Sequence, residues 1–218
     1  MKYIPYLFLC VITIFSSVFG DIVVHDGTLE DWEACCQIAQ TMHIPLINEL
    51  KDTLPWLVVK AFGLSNPEKH MTKRLNLAKE EIFSKKTTKL FVLHETNQDD
   101  NNPKILGFFS FTINSQDSNI AHTSRYGYIE QEISPEAFST ACKEYFVSDE
   151  KYNNIKHLLT VDLYPSAQGE IMNKYRAQTE SFGFKKCQHA RGLDHLPFLM
   201  KIPAEYLFGA QVYILDLE

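Results

Sequence analysis

Residues His157 to Ile202 read HLLTVDLYPSAQGEIMNKYRAQTESFGFKKCQHARGLDHLPFLMKI, and the order of signals in this stretch decides the fold. The apolar run His157 to Leu163, bounded by Pro165, predicts a buried strand. A helix-period segment follows, with Ile171, Met172, Tyr175 and Phe182 on one side. Gly183 closes that helix as a C-terminal cap, because glycine takes positive φ at little cost. Phe184 to Ala190 and Pro197 to Ile202 then read as short strands joined by Arg191-Gly192-Leu193-Asp194.

Upstream, Asp21 to His25 is a β-branched run and a first strand. Thr28 and Asp31 form a reciprocal helix start, and Leu29, Trp32, Cys36 and Ala39 give the buried face of the helix it opens. Ile44 to Phe62 is strongly apolar, and Pro45 and Pro55 interrupt it, which predicts a bent helical segment. Asn66 caps a further helix with Pro67 at its first position and Met71, Leu75, Ala78 and Ile82 facing inward. Lys89 to Thr96 and Lys104 to Ser115 pair as a hairpin around the polar loop Asn97 to Pro103, with Gly107 marking a bulge or a close approach. Tyr126 to Ile133 is the next strand, and alternation puts Glu130 and Glu132 on one face of it. Ser134-Pro135-Glu136 ends that strand and opens a helix with Phe138, Ala141, Cys142 and Tyr145 inward. The sum is an α/β fold with a mixed sheet, antiparallel in its first half. The right-handed crossover rule makes the Tyr126 and His157 strands parallel neighbours. Gln211 to Leu217 reads as an edge strand, which leaves a homodimer open.

At 218 residues the chain suits one domain with a full core, and a net charge of −6 without a basic stripe excludes a general nucleic-acid binder. Lys2 and the apolar run Ile4 to Phe19 are shorter than a membrane span and precede a small-residue pattern at Val18 and Gly20. Residues 1–20 therefore read as a signal peptide, with an uncleaved N-terminal anchor as the other reading, and residues 21–218 as one exported domain, whether secreted, periplasmic or luminal. The domain meets a membrane only if that segment stays attached. Cys35, Cys36, Cys142 and Cys187 leave two disulfides open in an oxidising compartment; three of the four sit among apolar residues at helical spacing, which favours buried free thiols, and their spacing matches no zinc motif. His189, Asp194 and His195 likewise fit no ligand spacing, so no metal is expected.

That order of elements, with those residues, resembles the GNAT acyltransferase superfamily. VVHDGTLEDWEAC (Val23 to Cys35) is similar to the family's first strand and helix opening, and KILGFFSF (Lys104 to Phe111) to its third strand. The Gly183-Phe184 pair after the helix and the Met-x-Lys-like ending at Met200 and Lys201 are similar to its last elements. The resemblance implies a mostly antiparallel mixed sheet with a central parallel strand pair and flanking helices. It also implies transfer of an acetyl group from acetyl-CoA to an amine acceptor, a small molecule or a peptide.

The family's donor loop has the pattern R/Q-x-x-G-x-G/A at a helix N-terminus, where backbone N–H groups meet the pyrophosphate. The corresponding place here reads Ile133-Ser134-Pro135-Glu136-Ala137-Phe138. It has no glycine, Pro135 has no N–H, and Glu136 is anionic, so the motif is degenerate. The resemblance assigns donor contacts to Ile133, Ser134, Glu136 and Ala137, and one to Asn173. A second placement puts the donor loop at Pro165 to Gly169 and makes His157 to Leu163 the fourth strand. Glu130 or Glu132 takes the place of the base that accepts the amine proton, the other reading being a solvated strand face. The position of the family's acidic tyrosine falls on Thr179, with Tyr175 one turn earlier. The function implied is N-acetyl transfer with a weakened donor site. The alternative is an exported binding module of the same fold that has lost the chemistry.

Overall fold

The computed structural model describes residues 21–96, 104–162, 167–186 and 211–217. The elements are β1 (Asp21–Asp26), α1 (Trp32–Thr53), α2 (Trp56–Ala61), α3 (Pro67–Ser84), β2 (Thr88–Thr96), β3 (Lys104–Ile113), β4 (Ile120–Tyr128), α4 (Pro135–Ser148), β5 (His157–Asp162), α5 (Glu170–Ser181), β6 (Lys185–Lys186) and β7 (Gln211–Asp216). They build one seven-stranded sheet in the order β1-β2-β3-β4-β5-β7-β6. All pairings are antiparallel except β4 with β5, which is the expected parallel crossover through α4. Among the described residues no helix is long and apolar enough to cross a membrane.

The central strands bury both faces, and alternation divides their side chains between two cores. On β2, Phe91 and Leu93 join one cluster with Phe111, Phe138, Phe146, Tyr152 and Phe182, under α4. Leu90 and Val92 join the other with Trp32, Ile38, Leu50, Met71 and Leu75, under α1 and α3. Gly107 on β3 is required where the layers close up. A Cβ there would stand 2.8 Å from the Gly127 carbonyl oxygen and 3.0 Å from the Phe138 ring. The β2–β3 register also slips between Leu93 and His94, opposite this glycine, so Gly107 marks a bulge and a close approach together.

Several local expectations hold. Asn66 caps α3 by accepting from the Lys69 N–H at 2.9 Å, and Met71, Leu75, Ala78 and Ile82 are all buried. Gly183 ends α5 at φ +88°. Cys35, Cys36 and Cys142 are free, and burial pushes the Cys35 thiol up to about 12.

Others need correction. Pro45 does not break α1, which runs on to Thr53; the break falls at Leu54 and Pro55. Residues on both sides of Pro45 (Ile38, Ala39, Ile47 and Leu50) are buried, and packing at that scale outweighs a proline's cost of about 3 kcal/mol. Thr28 does not cap α1. Its N–H and hydroxyl both donate to Asp31 Oδ2, at 2.7 and 2.8 Å, and the helix begins at Trp32. Leu29 is exposed and Cys35 takes the buried position in place of Cys36. On α5, Ile171 faces out, while Gln178 and Thr179 are buried. Strand β7 is not an edge: it lies between β5 and β6. The described partner of β6 is β7, whereas Pro197 to Ile202, with Met200 and Lys201, lies outside the described residues. So do residues 1–20, Cys187, His189, Asp194 and His195.

Candidate functional site

Strands β4 and β5 run side by side for only three registered pairs, Ile120 with His157, Ala121 with Leu158 and His122 with Leu159. Beyond His122 the strands part, and β4 continues alone to Tyr128 on that side. A splay between parallel strands leaves main-chain groups without a ladder partner, which is where an extended amide-bearing ligand can add itself. Phe109, Thr123, Tyr126, Thr160, Thr179, Phe182 and Phe184 line a narrow cleft in this splay, with about 10 Å³ of room, close to that of a single water.

Tyr126 and Thr179 line the cleft, and Tyr175 packs against Tyr126. Tyr126 on β4 and Tyr175 on α5 stack with ring centroids 5.7 Å apart and planes 17° apart. The Thr179 hydroxyl, one turn further along α5, donates to the Tyr175 carbonyl at 3.0 Å. The buried Tyr126 hydroxyl makes no well-formed hydrogen bond, although the Tyr175 and Thr179 hydroxyls lie close enough to influence its ionisation. Burial raises the pKa of Tyr126 and of Tyr175, so both phenols hold their protons at neutral pH. Phe182 meets Tyr126 edge-on at 5.5 Å and closes the apolar wall.

His43 on α1 completes the group. Its Nε2–H donates to the Tyr126 carbonyl oxygen at 2.9 Å, and its ring lies 6.3 Å from both Tyr126 and Tyr175. A carbonyl can only accept, so this bond places the proton on Nε2 and leaves Nδ1 as the basic atom. Burial lowers the His43 pKa, and Arg125 and Arg74 add to the effect against the Tyr126 hydrogen bond. The imidazole is therefore a neutral base beside two phenols.

The turn from β4 into α4 forms the mouth of the splay. The Glu132 and Ile133 N–H groups both donate to the Ile129 carbonyl, at 2.8 and 3.0 Å, and this ends the strand. Glu130 and Glu132 thus lie on a turn after Tyr128, not on one strand face. Glu130 bonds Lys174 Nζ at 2.6 Å and Gln178 Nε2 at 3.1 Å, whereas Glu132 pairs with Lys104 at 2.7 Å. Lys174, outweighing burial and joined by Gln178, holds the Glu130 carboxyl below its ordinary range. A depressed carboxylate is the weaker base, and its partners tie this turn to α5.

At the N-terminus of α4, Ile133 is buried, while Ser134 and Glu136 are exposed. Ser134 Oγ accepts the Ala137 N–H at 3.1 Å, and the Ser134 carbonyl accepts the Phe138 N–H at 2.9 Å. With Pro135 lacking a donor, this turn keeps few amides for an anion. Asn173 is exposed on α5. The next helix end is occupied outright. Glu49 on α1 accepts from the Ile171 N–H at 2.9 Å and the Met172 N–H at 2.6 Å. A Cβ on Gly169 would stand 2.2 Å from the Glu49 carboxyl carbon, so glycine there makes the docking possible. The carboxylate fills the place a phosphate would take at a helix N-terminus. This removes Pro165 to Gly169 as a donor loop, as does the place of β5 as fifth in the sheet.

No protein-family model matches the sequence, and no curated protein matches it. Solved structures do match its shape. An acetyltransferase of the GNAT family from Staphylococcus aureus aligns with a TM-score of 0.53 at 10% identity, covering 91% of this chain and 100% of that one. A GNAT-family protein from Desulfovibrio desulfuricans gives 0.51 at 11% identity, with coverage of 91% and 100%. The chain has the GNAT fold.

Within the GNAT fold of this chain, the structure brings Tyr175 and Thr179 together, ties Glu130 to Lys174 and Gln178 on the same helix, and pairs Glu132 with Lys104. Sequence reasoning missed Tyr126 and His43. Tyr126 carried a signal, as a polar aromatic just before Gly127 on a strand; His43 sat inside an apolar helix and carried none.

Two measurements check these local arrangements. Glu49→Gln keeps the side-chain shape but removes the charge that two amides bind, and is expected to cost about 1–2 kcal/mol in urea unfolding. His43 gives a pH dependence. An unfolded histidine takes up a proton near 6.5, whereas His43 in the fold stays neutral to lower pH. The unfolded chain then binds more protons, so stability falls as pH drops through 6.5 and levels off once folded His43 titrates. His70 shifts in the same direction, also through burial first. His43→Gln is expected to flatten the fall between pH 7 and pH 5 without abolishing it.

Proposed function

We propose that the protein is an N-acyltransferase that moves an acetyl group from acetyl-CoA to an amine, with a weak grip on the donor. The observation that carries this reading is the splay of β4 from β5 with protonated Tyr126 and Tyr175 and neutral His43 gathered beside it. Attack on a thioester needs a neutral amine and a leaving thiolate that gains a proton. Tyr175 is the proposed proton donor to sulfur, with Thr179 turned to the helix backbone and Tyr126 packed against the ring. The amine proton goes to His43 Nδ1 or, through water, to Glu130 or Glu132. The Glu136 amide on the first turn of α4, with Asn173 from α5, is the proposed donor contact.

The weak grip follows from charge. Glu130, Glu132 and Glu136 stand at the mouth against Lys104 and Lys174, and both lysines are already paired. A pyrophosphate gains from those lysines only by displacing a carboxylate. The acceptor is proposed to be a small molecule or a peptide carrying a primary amine, met by the exported domain.

A second reading has its own observation, the narrowness of the cleft, which suits a binding module of the same fold. Thiol release from acetyl-CoA in the presence of a panel of primary amines separates the two. Acyl transfer predicts release that saturates with one amine class and is absent without protein. Release no faster than the buffer rate across the panel removes the enzymatic reading.

A further inference from the structure

Away from the cleft, at the β1 edge of the sheet, three side chains from separate parts of the chain converge. His25 lies opposite Val92 and His94 opposite Val23 in the β1–β2 register, so both imidazoles leave the same face on a diagonal. Their rings stack at 4.4 Å with planes 20° apart, and the two Nε2 atoms meet in a hydrogen bond. Asp31, at the start of α1, brings a carboxylate to the same place. One ligating atom from each of His25, Asp31 and His94 falls within 4.8 Å of the others.

The surrounding bonds prepare these atoms as ligands. His25 Nδ1 bonds the Asp26 carbonyl oxygen at 2.7 Å. That oxygen can only accept, so Nδ1 carries the proton and Nε2 presents its lone pair toward His94. A ring N–H fixed on a backbone carbonyl is the usual second support of a metal-binding histidine. Asp31 is held in the same way, by the Thr28 N–H and hydroxyl at 2.7 and 2.8 Å on Oδ2. His94 is buried, and His25 and Asp31 are partly exposed, so an ion has both a low-dielectric wall and an entry path.

We propose that His25, His94 and Asp31 form a binding site for a divalent transition cation of the zinc class. Two imidazoles and one carboxylate are a three-ligand set that leaves a fourth position to water. Ligands at about 2.0–2.2 Å from a tetrahedral ion stand roughly 3.3–3.5 Å apart. The cation takes the position of the proton shared between the two Nε2 atoms, and that proton passes to solvent. Bound there, the ion ties β1, β2 and the start of α1 together. The sequence hid this site because its ligands are spread over residues 25 to 94 and follow no local spacing.

The test uses the full chain, freed of metal with a chelator and titrated with cobalt as a spectroscopic probe and with zinc by calorimetry. One equivalent of cobalt with the visible band of a tetrahedral ion, and a melting temperature that rises with zinc, are expected. His25→Gln, at a partly exposed position, and Asp31→Asn, whose amide oxygen still accepts from Thr28, are each expected to weaken binding by at least about tenfold. Both variants should lose most of the zinc-dependent rise in melting temperature. No uptake at millimolar zinc overturns the site. Stoichiometric uptake that persists unchanged in both variants overturns it equally, because the ion then sits elsewhere.

Discussion

Replacing Phe91 with alanine is expected to cost about 3–5 kcal/mol of stability, the range for removing a fully buried aromatic side chain from a close-packed core. Phe91 is 0% exposed and meets Phe111, Tyr145, Phe146 and Tyr152 edge-on at centroid distances of 4.6 to 5.1 Å. These partners belong to β3, to α4 and to the segment after α4, so one ring joins the sheet to the helix that opens at the cleft mouth. Phe91→Leu keeps most of the buried area and should cost less than half as much. Urea unfolding of both variants reads the difference. A Phe91→Ala loss below about 1 kcal/mol would show that α4 is held by something other than this aromatic cluster.

Tyr175→Phe is expected to lower turnover in acetyl transfer by about 10²–10⁴, the contribution of a positioned general acid. The substitution removes one oxygen and leaves the stack on Tyr126 intact, so affinity for acetyl-CoA and folding stability should change little. The expected signature is therefore a fall in kcat with KM held. Tyr126→Phe is the companion variant. Its hydroxyl makes no well-formed hydrogen bond, so its loss should be neutral or stabilising for the fold, and a smaller effect on turnover is expected than for Tyr175. If Tyr175→Phe retains full turnover, the proton reaches the thiolate by another route and the cleft hydroxyls are packing alone.

The parts of this fold that could be read from sequence are those set by neighbours in the chain. The Asn66-Pro67 start of α3 and its inward face depend on residues three and four apart, and so does the Gly183 cap. Gly107 could be recognised because a glycine in a strand has few other uses. Long-range effects were harder to see. Pro45 looked like a breaker because propensity knows nothing of the sheet beneath it, and packing on both sides holds the helix through it. Glu130 and Glu132 looked like residues of one strand face because alternation was carried past the true strand end at Tyr128, where the Ile129 carbonyl gathers two amides into a turn. The C-terminal strand looked like an edge because nothing in Gln211 to Leu217 records that β6 pairs on its far side. The candidate site was half visible. Tyr175 and Thr179 share one helix and were found together, but the bond from His43 to Tyr126 spans 83 residues and is created by the fold.

Two features of the cleft pull against each other: a hydroxyl and imidazole cluster suited to proton transfer, and a mouth whose carboxylates oppose a pyrophosphate. Calorimetric titration of the protein with acetyl-CoA, repeated with CoA alone, measures which prevails. The account predicts saturable binding at one site, with an affinity that improves in Glu136→Gln as one opposing charge is removed. An absence of heat up to millimolar acetyl-CoA, in the parent and in Glu136→Gln alike, would contradict donor binding in the β4–β5 splay and with it the proposed transfer.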